Sequence, residues 1–304
     1  MPEANSEKDL EMHAYLRAIG FKEIISKKKL RELLQMVIEE PDEQRLISLE
    51  SLEGNVAELR RSFADGMGII VHGYYDESGS FRDEYYIPYL EGRTAPVETD
   101  ITITRHVSRE SFAGVCEDFR LGATLIYYLE NSMEYLDRAM KQQAAGCRGE
   151  LYLSGLCTSG TVLLPISKNE KQREKVRMEN LNRRKLISEA RMGDEAAIES
   201  LTIEDLDTYT KISRRIHKED VFSIVDSSFM PYGVECDQYS IIGEIKDVSE
   251  CKNRLSGERI YVLAVDCNDF ELSVGINADD LMGEPQVGRR FKGAIWLLGR
   301  VNFV

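Results

Sequence analysis

The sequence predicts an α+β protein with a mixed N-terminal domain carrying antiparallel hairpins, a helical connector, and a small C-terminal β-barrel of OB-like Greek-key type. Three observations predict it. The runs GIIVHGYY (68–75) and FRDEYYIPY (81–89) are apolar and aromatic, and a loop with Gly79 near its end separates them. Residues Lys168–Arg191 hold nine basic and four acidic residues with few apolar ones, the composition of a long exposed helix. From Val221 onward, five strand-like runs follow one another: 222–229, 239–248, 260–267, 270–276 and 290–301. The expected organisation is a disordered tail over 1–11, an α+β domain over 12–167, a helical connector over 168–217 and the barrel over 218–304.

Taken in order, residues 13–21 form a short helix ending at Gly20. A second helix is capped by Ser26, repeats Leu30, Leu33, Leu34, Val37 and Ile38 at helical spacing, and stops at Pro41. Strands then run from Leu46 to Tyr89. Pro88 cannot donate to a ladder, so its strand belongs at a sheet edge or a bulge. Residues 100–107 alternate as a half-buried strand, and 123–129 (ATLIYYL) form a buried one. A helix capped at Asn131 or Ser132 follows and ends by Gly146. Residues 150–156 and 161–166 read as a second hairpin turning at Cys157-Thr158-Ser159-Gly160. In the connector, a short helix opens at Asp194, and Thr202 with Asp205 resembles a capping box opening another. In the barrel, Phe270, Leu272, Val274 and Ile276 alternate with polar or small residues, and Asn268-Asp269 is a two-residue turn. In the last strand Phe291, Gly293, Ile295 and Leu297 share one face. Lys292, Ala294, Trp296 and Leu298 share the other, so the strand is covered on both sides and Trp296 docks it to the N-terminal domain.

The charge balance narrows the function. With 39 basic and 53 acidic residues the chain carries a formal charge of −14, which repels phosphate backbones and anionic membranes. No run is long and apolar enough to span a membrane, and the polar, acidic N-terminus has no apolar signal core, so the expected location is cytoplasmic. The six cysteines show no CxxC spacing, which predicts reduced, mostly buried thiols. Cys236, Cys251 and Cys267 fall in the barrel, but no histidine there completes a zinc set. Asp65-Gly66-Met67-Gly68 runs into a strand rather than a helix and so lacks the context of a dinucleotide loop. No catalytic residue, no metal ligand and no cofactor is predicted.

The stretches MHAYLRAIGF (12–21), EYYIPYLEG (84–92), EDVFSIVDSSFMPYGVECDQYSIIGEI (219–245) and 283–303 give the chain a resemblance. It resembles an uncharacterised family of low-GC Gram-positive bacteria described only as a domain of unknown function. The resemblance implies a bacterial cytosolic protein, transfers no catalytic residue, and suggests Met12 as the family's usual start.

The best candidate contact residues are aromatic and basic. Tyr74, Tyr85, Tyr86 and Tyr89 crowd one hairpin. Alternation puts Tyr85, Ile87 and Tyr89 on one face and Glu84, Tyr86 and Pro88 on the other, so one face packs the core and the other is either a platform or covered too. Arg289 and Arg290 open the last strand and are able to hold an anion, and Trp296 is able to stack a ligand. The leading expectation is a non-enzymatic cytosolic binding or interaction module for a protein or small-molecule ligand, in an oligomeric state the sequence leaves open. One alternative is nucleic-acid binding through the basic connector and the barrel, which the charge disfavours. The other is an enzyme with a site between domains.

Overall fold

Apolar periodicity sets the first layers. In a computed structural model, residues 12–24, 26–48, 55–105, 112–118, 121, 123–141, 147–166, 170–216 and 219–303 are described. The expected tail, residues 106 and 107 of the predicted strand, Gly146 and the boundary at 217–218 lie outside them. A 3-10 turn over Ala14–Ile19 ends at Gly20, whose φ of 84° lets its N–H reach back to the Arg17 and Leu16 carbonyls. Helix α1 (Lys27–Glu39) starts on Ser26, whose side chain accepts from the Lys29 amide, and buries Leu30, Leu33, Leu34 and Val37. Strands β1 (Glu43–Ser48), β2 (Asn55–Ala64), β3 (Met67–Tyr75) and β4 (Phe81–Leu90) form an antiparallel sheet in chain order. Pro88 lies on β4, at the sheet edge where a missing donor costs nothing. Arg61 donates to the Met36 carbonyl of α1, and Phe63 packs edge-on against Phe21. The odd-numbered face of β2 therefore lies under α1.

The second sheet is larger and closes on itself. It uses β5 (Val97–Arg105), β6 (Phe112–Asp118), β7 (Ala123–Leu129) and β8 (Cys147–Leu163), with α2 (Ser132–Met140) between β7 and β8. After the long helices α3 (Glu170–Arg191) and α4 (Glu195–Ile216) and the short α5 (Val221–Ile224), it adds six more strands. These are β9 (Ser228–Pro231), β10 (Gln238–Lys252), β11 (Arg259–Cys267), β12 (Phe270–Asn277), β13 (Leu281–Met282) and β14 (Arg290–Phe303). Two rings of neighbours share the antiparallel pair β8–β14. The first ring runs β8–β5–β6–β7–β14 and closes through a short parallel contact of Leu298 and Gly299 with Tyr128 and Leu129. The second runs β8–β12–β11–β10–β14, with β12 parallel to β8. The protein is thus α+β. The ring containing β10, β11, β12 and β14 takes its fifth member, β8, from before the connector.

Aromatic residues fill the rings where glycine leaves room. A Cβ at Gly114 on β6 or Gly299 on β14 would run into the Tyr127 ring. Likewise a Cβ at Gly160 would come within 2.6 Å of Phe291, and one at Gly293 within 2.7 Å. Tyr127 and Phe291 are fully buried in one apolar cluster that runs through both rings, with Leu125, Leu151, Ile241, Leu263, Phe270 and Leu297. A second cluster joins α1 and the first sheet to the outside of the second sheet through Leu156, Ile260, Trp296 and Leu298. Both faces of β14 are covered as expected, with Phe291, Ile295 and Leu297 in one cluster and Trp296 and Leu298 in the other. A register shift between Gly293 and Ile295 lets this long strand bend between its two rings.

Three local expectations are corrected. Residues 157–160 are no hairpin turn: β8 runs unbroken, paired with β14 from Gly149 to Leu163. Gly160 has no positive φ, and it serves to admit Phe291. The Thr202–Asp205 box is interior to α4, where the Thr202 hydroxyl donates to the Ile198 carbonyl, and the cap is Asp194 through the Ala196 and Ala197 amides. The run 222–229 splits into α5 and β9, because Asp220 accepts from the Phe222 amide and starts a helical turn.

Candidate functional site

Alternation in β2 to β4 turns one face of the first sheet toward the second sheet and α2. Glu58 on β2 stands opposite His72 on β3, and His72 stands opposite Tyr85 on β4. The His72 and Tyr85 rings stack with centroids 4.4 Å apart. Two residues along β2, the Arg60 guanidinium lies 3.8 Å above the Tyr89 ring and donates to Glu91 Oε1 at 2.7 Å. Glu130, at the exit of β7, is buried nearby with Asn131, whose amide group bonds both the N–H and the carbonyl of Val301.

This seam holds ionisable groups away from water. Glu58 is 5 % exposed, Glu130 1 % and His72 4 %. Glu58 Oε2, both Glu130 oxygens and His72 Nε2 meet no hydrogen-bond partner among the described residues. Burial pushes both carboxyls up to about 7, against the opposing pull of the shared cations Arg60 and Arg300. Burial also pushes His72 down to about 3, so its imidazole is neutral. With both carboxyls raised toward neutral pH, the seam can store protons. Sequence reading missed it because Glu58 and Arg60 sit in a strand with Val56 and Ser62, a mixed face that reads as solvent-exposed.

The predicted contact residues fall mostly into packing roles. Tyr86 and Tyr89 are buried, Tyr85 is half-buried, and Tyr74 is exposed. The Tyr86 hydroxyl accepts from the His13 amide at 2.7 Å, on the opposite face from Tyr85 and Tyr89. Trp296 is 5 % exposed, stacks on Tyr15, packs on His13 and Tyr128, and donates from Nε1 to Asp237 Oδ2 at 2.8 Å. Arg290 is buried and spends its guanidinium on three carbonyls, Leu164 at the exit of β8 and Phe222 and Val225 around α5. It anchors both ends of the connector to β14. Arg289 is half-buried and donates to the Glu284 carbonyl within its own loop. The structure brings Tyr85 and Tyr89 to the seam and keeps Tyr74, Arg289 and Arg290 apart from it. Among the thiols, Cys116, Cys157 and Cys267 are buried, whereas Cys236 is exposed, against the expectation of burial.

The connector presents the open surface. Helices α3 and α4 form an antiparallel pair held by Arg183 to Glu204 and Asp205. Much of the positive charge of α3 is spent internally, in Lys175–Glu179 and Lys185–Glu189 along the helix and in Arg184–Asp269 and Arg191–Glu117 to the second sheet. On α4, Ala197 is buried, while Ile198, Ile203, Leu206 and Tyr209 are 48 %, 59 %, 63 % and 72 % exposed. At 3.6 residues per turn these four fall on one half of the helix circumference. Beside the pair, Leu121, Ile187, Leu201 and Arg191 line a shallow depression of about 360 Å³.

The fold and surface define an α+β protein with two strand rings sharing one pair, a buried proton-holding seam and a helical arm. Among the described residues no helix is long and apolar enough to cross a membrane. The family of a domain of unknown function described from an E. rectale gene (DUF3881) matches residues 16–299, and the chain belongs to it. No curated protein and no solved structure matches the chain.

Proposed function

We propose that this protein is a cytoplasmic, non-enzymatic interaction module whose contact surface is the outer face of α4. The observation that carries this reading is the row Ile198, Ile203, Leu206 and Tyr209, four large apolar side chains left in water on one helix face. An amphipathic helix normally turns such a face inward, and burying one such side chain is worth about 1.5–3 kcal/mol. A contiguous apolar face of this kind marks an association surface. The tyrosine hairpin is the weaker candidate, since only Tyr74 among its tyrosines stands open to solvent.

The test is a photo-crosslinking amino acid placed at position 209 in living cells, with the same probe at exposed Ser200 as control. The expected result is a discrete crosslinked adduct from 209 and none from 200. Absence of an adduct from both positions, in folded protein, overturns the reading.

A further inference from the structure

We infer that the partner of the α4 face is a second copy of this chain, joined by antiparallel pairing of the two α4 helices about a two-fold axis near Leu206. This rests on the reading of that face as a contact surface. The charge along α4 is what selects the occupant. Its N-terminal half carries Glu195, Glu199, Glu204 and Asp205, and its C-terminal half carries Lys211, Arg214 and Arg215 with one acid, Asp207. Some of these are already used, in Asp205 and Glu204 with Arg183, Lys211 with Asp207, and Arg215 with Glu219. Glu195, Glu199 and Arg214 make no ion pair among the described residues and stay exposed.

An antiparallel copy lays the acidic half of each helix beside the basic half of the other. Leu206 meets Leu206 of the partner subunit on the axis, with Ile203 and Tyr209 flanking it. Glu199 and Arg214 lie about equally far from the axis on either side of Leu206 and project from the same flank of the helix. The symmetric arrangement therefore brings each Glu199 to the partner's Arg214. In a two-fold contact every such pair is made twice. Opposed helix dipoles add to the same preference. A parallel arrangement would instead set like charges side by side. The net charge of −14 disfavours nonspecific self-association, so the pairing has to come from a local match of this kind.

Light scattering on the eluting full chain tests this. The expected mass is twice the 34.7 kDa of the chain. Leu206→Glu is expected to return a monomer with thermal unfolding little changed, because Leu206 is largely exposed and lies in neither core cluster. Glu199→Arg and Arg214→Glu are each expected to weaken the dimer about tenfold, from two lost surface pairs and the repulsion that replaces them. The double reversal restores it. In a Cys236→Ser background, Leu206→Cys is expected to oxidise to a covalent dimer and Ser200→Cys is not. A monomer at every concentration, or a dimer indifferent to Leu206→Glu, overturns the inference. If the probe at 209 then gives an adduct of some other mass, the contact surface stands and only the second copy falls.

Discussion

Glu58, Glu130 and His72 make stability depend on pH in a direction opposite to that of most carboxylates. Both carboxyls titrate near 7 in the fold against an ordinary 4.5, so the native state holds two protons there that the unfolded chain has released. His72 works the other way, since the unfolded imidazole takes a proton below 6.5 and the buried one does not until about 3. Between pH 4.5 and 7 the carboxyls hold protons that the unfolded chain has released, His72 gives part of that back below 6.5, and the balance is on the order of one extra proton in the native state. Stability falls as pH rises across this whole window. Each carboxyl accounts for on the order of 3 kcal/mol. Glu130→Gln is expected to raise the melting temperature at pH 8 and to flatten its fall between pH 5 and 8. A wild-type melting temperature that climbs over that range removes the seam as a proton store. None of this was legible in sequence, because a glutamate in a strand announces a solvated face. Only the packing of α2 and β14 over it, made by residues far along the chain, takes the water away.

At the level of elements, the local ones were legible and the long-range ones were not. Ser26, Pro41, Gly20 and the 76–80 loop act within a few residues, and the structure places α1, the 3-10 turn and the β3–β4 hairpin where they predict. Strand β8 reads as two strands in the sequence because Thr158-Ser159-Gly160 resembles a turn and its partner β14 lies well over a hundred residues away. Glycine there answers to an aromatic ring rather than to a bend. Gly114→Ala should test that role directly. Its Cβ meets Tyr127, and overpacking of this kind costs about 1–3 kcal/mol, read as a lower urea midpoint. Combined with Tyr127→Leu, the loss should be smaller than the sum of the two single losses, because the collision is relieved. Additive losses would mean that the ring and the glycine do not share space.

Over the whole molecule, the β8–β14 pair belongs to both rings, and Trp296 on β14 is packed by His13, Tyr15 and Tyr128 from elsewhere in the chain. Opening either ring strips one flank from the same two strands. Urea unfolding is expected as one transition, with Trp296 fluorescence and far-ultraviolet dichroism coinciding and the native emission blue-shifted. Two separated transitions, or a water-like native maximum, would show that the rings hold independently. The α+β class was readable from strand and helix periods. The sharing was not, because pairing between distant segments leaves no local pattern.

The shared pair also orders events during synthesis. Strands β5 to β8 leave the ribosome early, but their ring lacks a side until β14 has been made, and the same holds for β10 to β12. The growing chain thus carries open, apolar strand edges until β14 has been made. Chaperone demand and aggregation risk fall together when one late strand zips down β8 and finishes both halves at once.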